Sequence, residues 1–574
     1  MSDRIQLREI CHARAGDKGD TANIGLVVYH REHYDWVARH VTTDAVREYF
    51  GDTMTGEVER YALPEIGAFN FLLHNALGGG VTRALKVDGH GKGLSAVLLD
   101  MEIPVPPPID SDATPDPSTA TVSPIAAKTV RLGGGSAYEA DRLDAAAGLA
   151  KSGAVDYLVF DCLSEKTLIE CSLRQGRGLP ACDVFLKTKL RHVLPGAQAN
   201  GTKVIANAGG LDVDGAAREV LDLCRELDLT GVKVGWLRGG DVRDYVLRED
   251  PVVTQTGQPV SALEEDIVCA HAYGGAEPIV EALGRGADVV LSSRAGDAAQ
   301  FLAPLLYTFG WAPDNWELVG KGLGIGHLME CGGHLSGGYF ADPGYKEVPR
   351  LEDIGFPIAE VDAEGEAVIT KLPGTGGLVD ERVCKEQLLY EIGDPAEYIH
   401  GDGLVNFTET RLIQEGPDRV RLTGIRGGPR PDTVKVVLGV REGFVGMARV
   451  MYGGTGAYDR ARYAASIVAT RLRTYHDIDP ARVRFDYVGV NALFPWPVDT
   501  SAVKEVELRV AGAFPTRAEA EAMVYEVGTL PCNGPTAASW GRPLDQGGVE
   551  EVVGFYSTLI PHDAVNYEVC VATS

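Results

Sequence analysis

The chain has 574 residues, 54 of them Lys or Arg and 81 Asp or Glu, for a net charge of −27. The length predicts about three domains. The charge excludes a general binder of nucleic acid or of anionic membranes, because such a surface repels phosphates, though it leaves room for a local basic pocket. Hydrophobic residues at 45% and charged residues at 24% are ordinary for a soluble globular protein. The first residues, MSDRIQLREI, carry no apolar signal core, and no stretch approaches the 18 apolar residues of a membrane span, so a cytoplasmic protein is expected. Ten scattered cysteines without a CxxC pair fit free thiols. Glycine is the outlier: 70 residues, about 12% against an ordinary ~7%, in short runs beside apolar segments. Such runs predict tight turns where backbone approaches backbone or ligand.

In chain order, residues 5–10 and 24–29 read as strands, 45–50 as a helix, and 59–75 and 94–103 as strand-containing segments. Residues 1–103 are thus a small α+β domain of ferredoxin-like type. Residues 104–127, PVPPPIDSDATPDPSTATVSPIAA, are rich in Pro, Ser, Thr and Asp and read as an extended linker. The main body, 128–574, opens with strands at 129–132, 155–160, 203–206, 232–237 and 288–292, separated by Gly-rich turns and by helices at 214–227 and 276–284. Repeated strand–turn–helix units over 128–320 predict a doubly wound, largely parallel α/β region. Residues 321–574 begin Gly-rich and irregular. They end as α+β with antiparallel sheet: strands at 434–440, 444–451, 483–490, 503–510 and 552–559, and helices at 458–475 and 517–527.

In a doubly wound sheet, ligands bind outside the carboxyl ends of the strands. Four such ends carry polar or small residues: Gly134, Gly135 and Ser136; Asp161, Glu165 and Lys166; Asn207, Gly209 and Gly210; Arg294 and Asp297. Together they are candidates to line one crevice, while taken singly each can be a helix cap. The run at 133–136 is expected to open a helix that would suit an anion, although it is neither G-x-G-x-x-G nor a Walker loop. The segment GHLMECGGHLSGGYF supplies His327, Glu330, Cys331, His334 and Tyr339. These are acid–base or ligating types, but the His327–His334 spacing fits no standard zinc signature, and no metal ligand is assigned. Lys371 and Thr375 place a cation and a hydroxyl in a Gly-rich loop that can hold a carboxylate or phosphate. In the first domain, Asp17, Lys18 and Asp20 contact a partner domain or the substrate, or are solvated turn charges.

HARAGDKGDTANIG (12–25) resembles the opening motif of the AtuA-like ferredoxin-fold domain. GGGSAYEADR (133–142), VIANAGGLD (204–212), HLMECGGHLSGGYFADPGYK (327–346) and ITKLPGTGGLV (369–379) resemble motifs of the acyclic terpene utilisation AtuA family. The resemblance implies a place in metabolism where terpenoid-type acids pass through acyl-CoA intermediates. It supplies no set of catalytic residues.

From the residues, an enzyme acting on a small carboxylate or acyl-CoA thioester by lyase, hydratase or isomerase chemistry is expected. Asp161, Glu165, Glu330 and His334 are candidate bases. Lys166, Arg294 and Lys371 are candidate anion contacts, and Gly134, Gly135, Ser136, Asn207, Gly209, Gly210, Asp297, Cys331 and Thr375 complete the candidate binding set. No cofactor is expected beyond a CoA thioester carried by the substrate, and a homo-oligomer is expected. The alternatives are a non-catalytic scaffold subunit and a metal-dependent hydrolase.

Overall fold

The computed structural model describes residues 4–109, 129–539 and 547–574, so the linker expected at 104–127 lies, from residue 110 on, outside the described residues. The amino-terminal domain is a four-stranded antiparallel sheet in the order Cys11–Lys18, Thr21–Val28, Ala68–Leu73, Val58–Leu63. It is made of two hairpins joined through the helices Tyr34–His40 and Thr43–Phe50. Two expectations change here. The polar stretch 12–18 is itself a strand, and the apolar run at 94–103 begins as the helix Leu94–Leu99 rather than a strand. Val97, Leu98 and Leu99 are all buried in that helix, and a short run covered on every side has no period that separates helix from strand.

The main body is organised by a ten-stranded mixed sheet. Its centre is five parallel strands in the order Val130–Ser136, Tyr157–Phe160, Lys203–Ala206, Val289–Leu291, Lys233–Gly239. Pro357–Val361, Ala367–Lys371, Arg419–Thr423 and Arg411–Gly416 extend one edge antiparallel. Tyr567–Thr573 closes the other edge, antiparallel to Lys233–Gly239. The sheet therefore draws on both sides of residue 320, which is no boundary between sheets. Alternation along each strand sends side chains to both faces. Val159, Ile205 and Val290 meet Ile279, Leu302 and Leu323 on one face, while Leu158, Val204 and Val289 meet Leu149, Leu190 and Val220 on the other.

A second, antiparallel sheet is built on the 21-residue strand Thr433–Gly453. It pairs with Ile267–Ala272, Glu505–Phe514 and Gly547–Pro561, and the helices Ala457–His476 and Arg517–Gly528 accompany it. The two strands read at 434–440 and 444–451 are one continuous strand. No helix among the described residues is long and apolar enough to cross a membrane.

Many glycines serve close packing. The helix Trp316–Met329 carries Gly320, Gly322, Gly324 and Gly326. A Cβ on these would stand 2.2 Å from Gly427 Cα, 2.6 Å from Leu302, 2.6 Å from Ile425 and 2.6 Å from the Ala298 carbonyl oxygen, respectively. Each glycine in a helix interior costs about 1 kcal/mol against alanine, and here the return is a helix wedged between neighbours on several sides. Its far end presents His327 and Glu330.

Candidate functional site

The motif at 12–25 folds into the hairpin Cys11–Lys18/Thr21–Val28, and its polar residues bind the amino-terminal domain to the main body. His12 and Arg14 reach the helix Glu381–Leu388: His12 Nδ1 donates to Glu386 Oε1 at 2.7 Å, and Arg14 Nη1 donates to Gln387 Oε1 at 2.7 Å. Lys346 donates to the same Glu386 oxygen at 2.7 Å, and Arg14 Nε stands 3.4 Å from its other one. Burial alone would raise the Glu386 carboxyl, but His12, Lys346 and Arg14 hold it below the ordinary range. Gly16 and Gly25 let segment 389–391 lie on the hairpin: a Cβ at Gly16 would be 2.4 Å from Glu391 Cγ, and one at Gly25 2.6 Å from Leu389 Cβ. Glu391 is held at φ 56 with its N–H donated to Asn23 Oδ1 at 2.7 Å.

The hairpin tip carries Lys18 into a crevice of the main body. Lys18 is exposed to solvent, and Tyr398, Glu391, Glu165 and Glu330 lie near enough to act on its charge. Burial disfavours the Lys18 charge, but this ring outweighs it and holds the ammonium protonated well beyond the ordinary range. One wall is Glu165, Tyr273, Lys435 and Arg294. The Tyr273 hydroxyl donates to Glu165, and Lys435 Nζ donates to Glu165 Oε1 at 3.1 Å. Arg294 Nη2 donates to the Tyr273 hydroxyl at 3.2 Å, and the guanidinium pairs with Asp297. Burial would raise Glu165, yet Lys435 and Arg294 pull it far below the ordinary carboxylate range.

The opposite wall is acidic and left incomplete. Burial, then the nearby Asp297, pushes Asp161 well up, against Arg294 and a 2.6 Å hydrogen bond donated by Asn207 Nδ2 to its Oδ1. Burial also raises Glu330. His327 Nε2 donates to the Leu388 carbonyl at 3.0 Å, which turns its Nδ1 toward Glu330 Oε1, 3.3 Å away. That approach is close enough for proton exchange but not aligned as a hydrogen bond. Glu330 Oε2, His400 Nε2 and Arg294 Nε are enclosed and have no hydrogen-bond partner. His400 is brought down to about 3 by burial and by His327, Lys18 and Arg294, so it is neutral at physiological pH. Cys331 borders this group as a thiol raised far above its ordinary range by burial and by Glu330. Among the described residues, no three His, Cys, Asp or Glu side chains converge as a metal-holding set.

The structure thus brings together Asp161, Glu165, Asn207, Arg294, Asp297, Glu330 and Cys331 from the sequence candidates. The others lie elsewhere. His334 packs between Tyr339 and Tyr390 at the domain interface, brought down to about 3 by burial and by Arg14 and Lys92. Lys166 makes an exposed pair with Glu170 at 3.6 Å. Lys371 is buried against Asp418 at 3.1 Å and donates to the Thr375 carbonyl, while the Thr375 hydroxyl donates to the Leu372 carbonyl. Gly134, Gly135 and Ser136 belong to a strand, and the next helix starts only at Asp144, so no helix N-terminus waits there for an anion. A Cβ at Gly135 would lie 2.9 Å from the Phe160 ring, and the Ser136 hydroxyl donates to the Asp161 carbonyl at 2.8 Å. Gly209 and Gly210 are packed against the Ser292 and Ala181 carbonyls.

Sequence reasoning missed Tyr273, Tyr398, His400 and Lys435, and left Lys18 undecided. Lys435 had a signal: it is the one cation in the apolar strand run Val434–Leu438, and it faces the crevice. A separate cavity of about 250 Å³ lies between the amino-terminal domain and the second sheet, lined by Phe50, Met54, Leu94, Arg484 and Phe494. The lysine on its wall, Lys86, donates to the Thr53 and Ala76 carbonyls.

Comparison with known proteins gives two matches. Residues 130–571 match the family model described as acyclic terpene utilisation family protein AtuA, and residues 5–104 match the AtuA ferredoxin-like domain. No curated protein and no solved structure matches the chain. Because the first match spans most of the chain and the second covers the domain that supplies Lys18, the chain belongs to the acyclic terpene utilisation AtuA family, with the AtuA ferredoxin-like domain fused at its amino-terminal side.

Proposed function

We propose that this chain is a metabolic enzyme acting on a small carboxylate or acyl-CoA thioester of terpenoid or branched-chain acid type. The chemistry is acid–base chemistry of the lyase, hydratase or isomerase class. The observation that carries the reading is one crevice with carboxyl groups in unlike surroundings. Glu165 is paired with Lys435 at 3.1 Å, whereas Asp161 receives only the Asn207 amide and Glu330 keeps an oxygen without a partner, and burial raises both of the latter. Pairs of carboxyl groups driven apart in this way are how one site holds both a proton donor and a fixed charge near neutral pH.

Removal of a proton alpha to a carbonyl needs a base at the carbon and positive charge at the developing oxyanion. In this reading Glu330, backed by the Nδ1 of His327, takes the proton, and Asp161, oriented by Asn207, gives one back to the substrate. A proton taken by Glu330 is matched by transfer of its own proton to His327, whose tautomer is set by the Leu388 carbonyl. Arg294 is fixed by Asp297 and Tyr273 and supplies the positive field.

The test is turnover by the purified full chain on a panel of CoA esters, unsaturated acids and hydroxy acids. Asp161→Asn and Glu330→Gln should each lower turnover by about 10²–10⁴-fold with the unfolding midpoint unchanged. No turnover on any member, with no ligand raising the melting temperature, rejects the reading.

A further inference from the structure

We propose that Lys18, carried by the amino-terminal domain, is the anchor for a carboxylate group of the ligand, so that the site is complete only when the two domains are docked. This rests on the crevice being the functional site, but it concerns binding and not the proton transfer proposed above.

Three observations support it. First, the neighbouring carboxyl groups already hold cations at contact distance: Glu165 holds Lys435 at 3.1 Å, Asp297 holds Arg294, and Glu391 holds Lys92 at 2.7 Å. Lys18 has no hydrogen bond and no ion pair within contact distance among the described residues, although Glu165, Glu330 and Glu391 all act on it at longer range. It is the cation left over. Solvent reaches this ammonium, so it is free to take an anion that enters the crevice. Second, the chain goes to some length to place it. Gly16, two residues before Lys18, tolerates no side chain against Glu391, and Asp17 contacts Lys92 at 3.3 Å. Asp20, just past the tip, accepts the N–H groups of Leu77 and Gly79 at 3.0 and 2.8 Å. Third, the acidic wall facing it keeps enclosed atoms without partners, Glu330 Oε2 and His400 Nε2.

The protonated state of Lys18 assigns it to holding an anion and not to forming a Schiff base, which needs a free amine. A single ammonium without a contacting counterion suits the single charge of one carboxylate better than a phosphate, because Lys435 and Arg294 are already engaged by Glu165 and Asp297.

The experiment measures thermal stabilisation and calorimetric binding by the full chain. The probes are 3-hydroxy-3-methylbutyrate and 3-methylcrotonate, the methyl ester of each, and inorganic phosphate. Lys18→Met and Lys18→Arg are compared with the unsubstituted chain, and Glu330→Gln is run in parallel. The expected result is binding of an acid but not its ester, a loss of about 10–100-fold in affinity for Lys18→Met, and partial recovery in Lys18→Arg. Lys18 is exposed at a hairpin tip, so the melting temperature of unliganded Lys18→Met should match the parent. Equal binding of acid and ester, equal binding of phosphate, undiminished binding by Lys18→Met, or no binding of either acid overturns the proposal. The parallel variant separates the two readings. Undiminished turnover in Glu330→Gln together with lost binding in Lys18→Met rejects the proton-transfer role and leaves the anchor standing, and the reverse pattern rejects the anchor alone.

Discussion

The cluster around Glu386 and the crevice around Lys18 use the same residue types and lie along one strand, Cys11–Lys18. In the first, His12, Lys346 and Arg14 all approach one carboxylate, and every member is almost completely sealed from solvent. In the second, solvent reaches the charges, with 41% of the Lys435 side chain and 24% of Glu165 exposed. Lys18 there stands without a contacting partner, and carboxyl, imidazole and guanidinium atoms end without hydrogen bonds. A sealed network of contacting ions fixes how two surfaces meet, even though His12 Nε2, Arg14 Nε and Glu386 Oε2 within it also lack hydrogen-bond partners. One that solvent reaches is open to a ligand. Neither charge content nor unpartnered atoms distinguish the two; access from solvent does.

The sharpest way to break this comparison is to neutralise the acidic wall. Glu330→Gln should cost about 10²–10⁴-fold in turnover while leaving stability at pH 7 unchanged or slightly higher, because it removes a carboxyl whose ionisation burial opposes. The pH dependence follows the same sign. Asp161 and Glu330 have folded pKa values raised above their unfolded ones, so their contribution to stability is complete below about pH 4 and is lost as pH rises through the folded values. Glu391, brought down to about 2 despite burial by Lys92 and Lys18, behaves oppositely: its contribution is present above about pH 4.5 and is lost as pH falls toward 2. Denaturant unfolding between pH 4.5 and 8 should show a declining component that Glu330→Gln reduces. An unchanged slope would mean that this carboxyl is ionised throughout.

In the sealed cluster, Glu386→Ala leaves Arg14 and Lys346 buried without their anion. A loss of about 3–5 kcal/mol in unfolding free energy is expected, measured by urea titration, with the amino-terminal domain becoming sensitive to proteolysis. A loss under about 1 kcal/mol would show that water enters the interface and that the network is not sealed.

How much of this was legible depended on whether a residue's partner lies nearby in sequence. Helices at 213–226, 457–476 and 517–528 were readable because their apolar period is local. Asp161, Glu165 and Arg294 were singled out because they follow strands of the parallel set, and the structure brings them together. Residues 12–18 did not look like a strand, because His12 and Arg14 are polar on a face that only another domain covers. Tyr398, His400 and Lys435 come from strands outside the parallel set, and nothing in their own segments says which crevice they face. The glycine excess was visible, but its meaning was not: Gly133–Gly135 reads as a turn opening a helix, for an anion or for packing, and is a packed strand.

A smaller effect is expected at Gly326. Gly326→Ala drives a methyl to 2.6 Å from the Ala298 carbonyl oxygen, a backbone atom that cannot rotate away. Overpacking of this kind costs about 1–3 kcal/mol. Because Gly326 immediately precedes His327, turnover should fall by more than the unfolded fraction accounts for. Turnover that tracks the folded population alone would separate the helix from the site.

The smallest effect is expected at Lys166, which by sequence belongs with Asp161 and Glu165. The structure puts it on the outer face of the helix Glu165–Gly176, 54% exposed and paired only with Glu170 one turn away. One residue earlier, Glu165 points into the crevice and holds Lys435. Adjacent helix positions diverge by about 100° around the axis, so one step in sequence separates a crevice wall from bulk solvent. Lys166→Ala should change unfolding free energy by no more than about 0.5 kcal/mol and leave turnover at the parental value. Glu165→Gln, assayed beside it, should weaken ligand binding, because it frees Lys435 and Tyr273 from the charge that orders them. A deficit in Lys166→Ala comparable to that of Glu165→Gln would mean that the ligand extends out of the crevice along this helix, and the line drawn here between wall and surface would move by one residue.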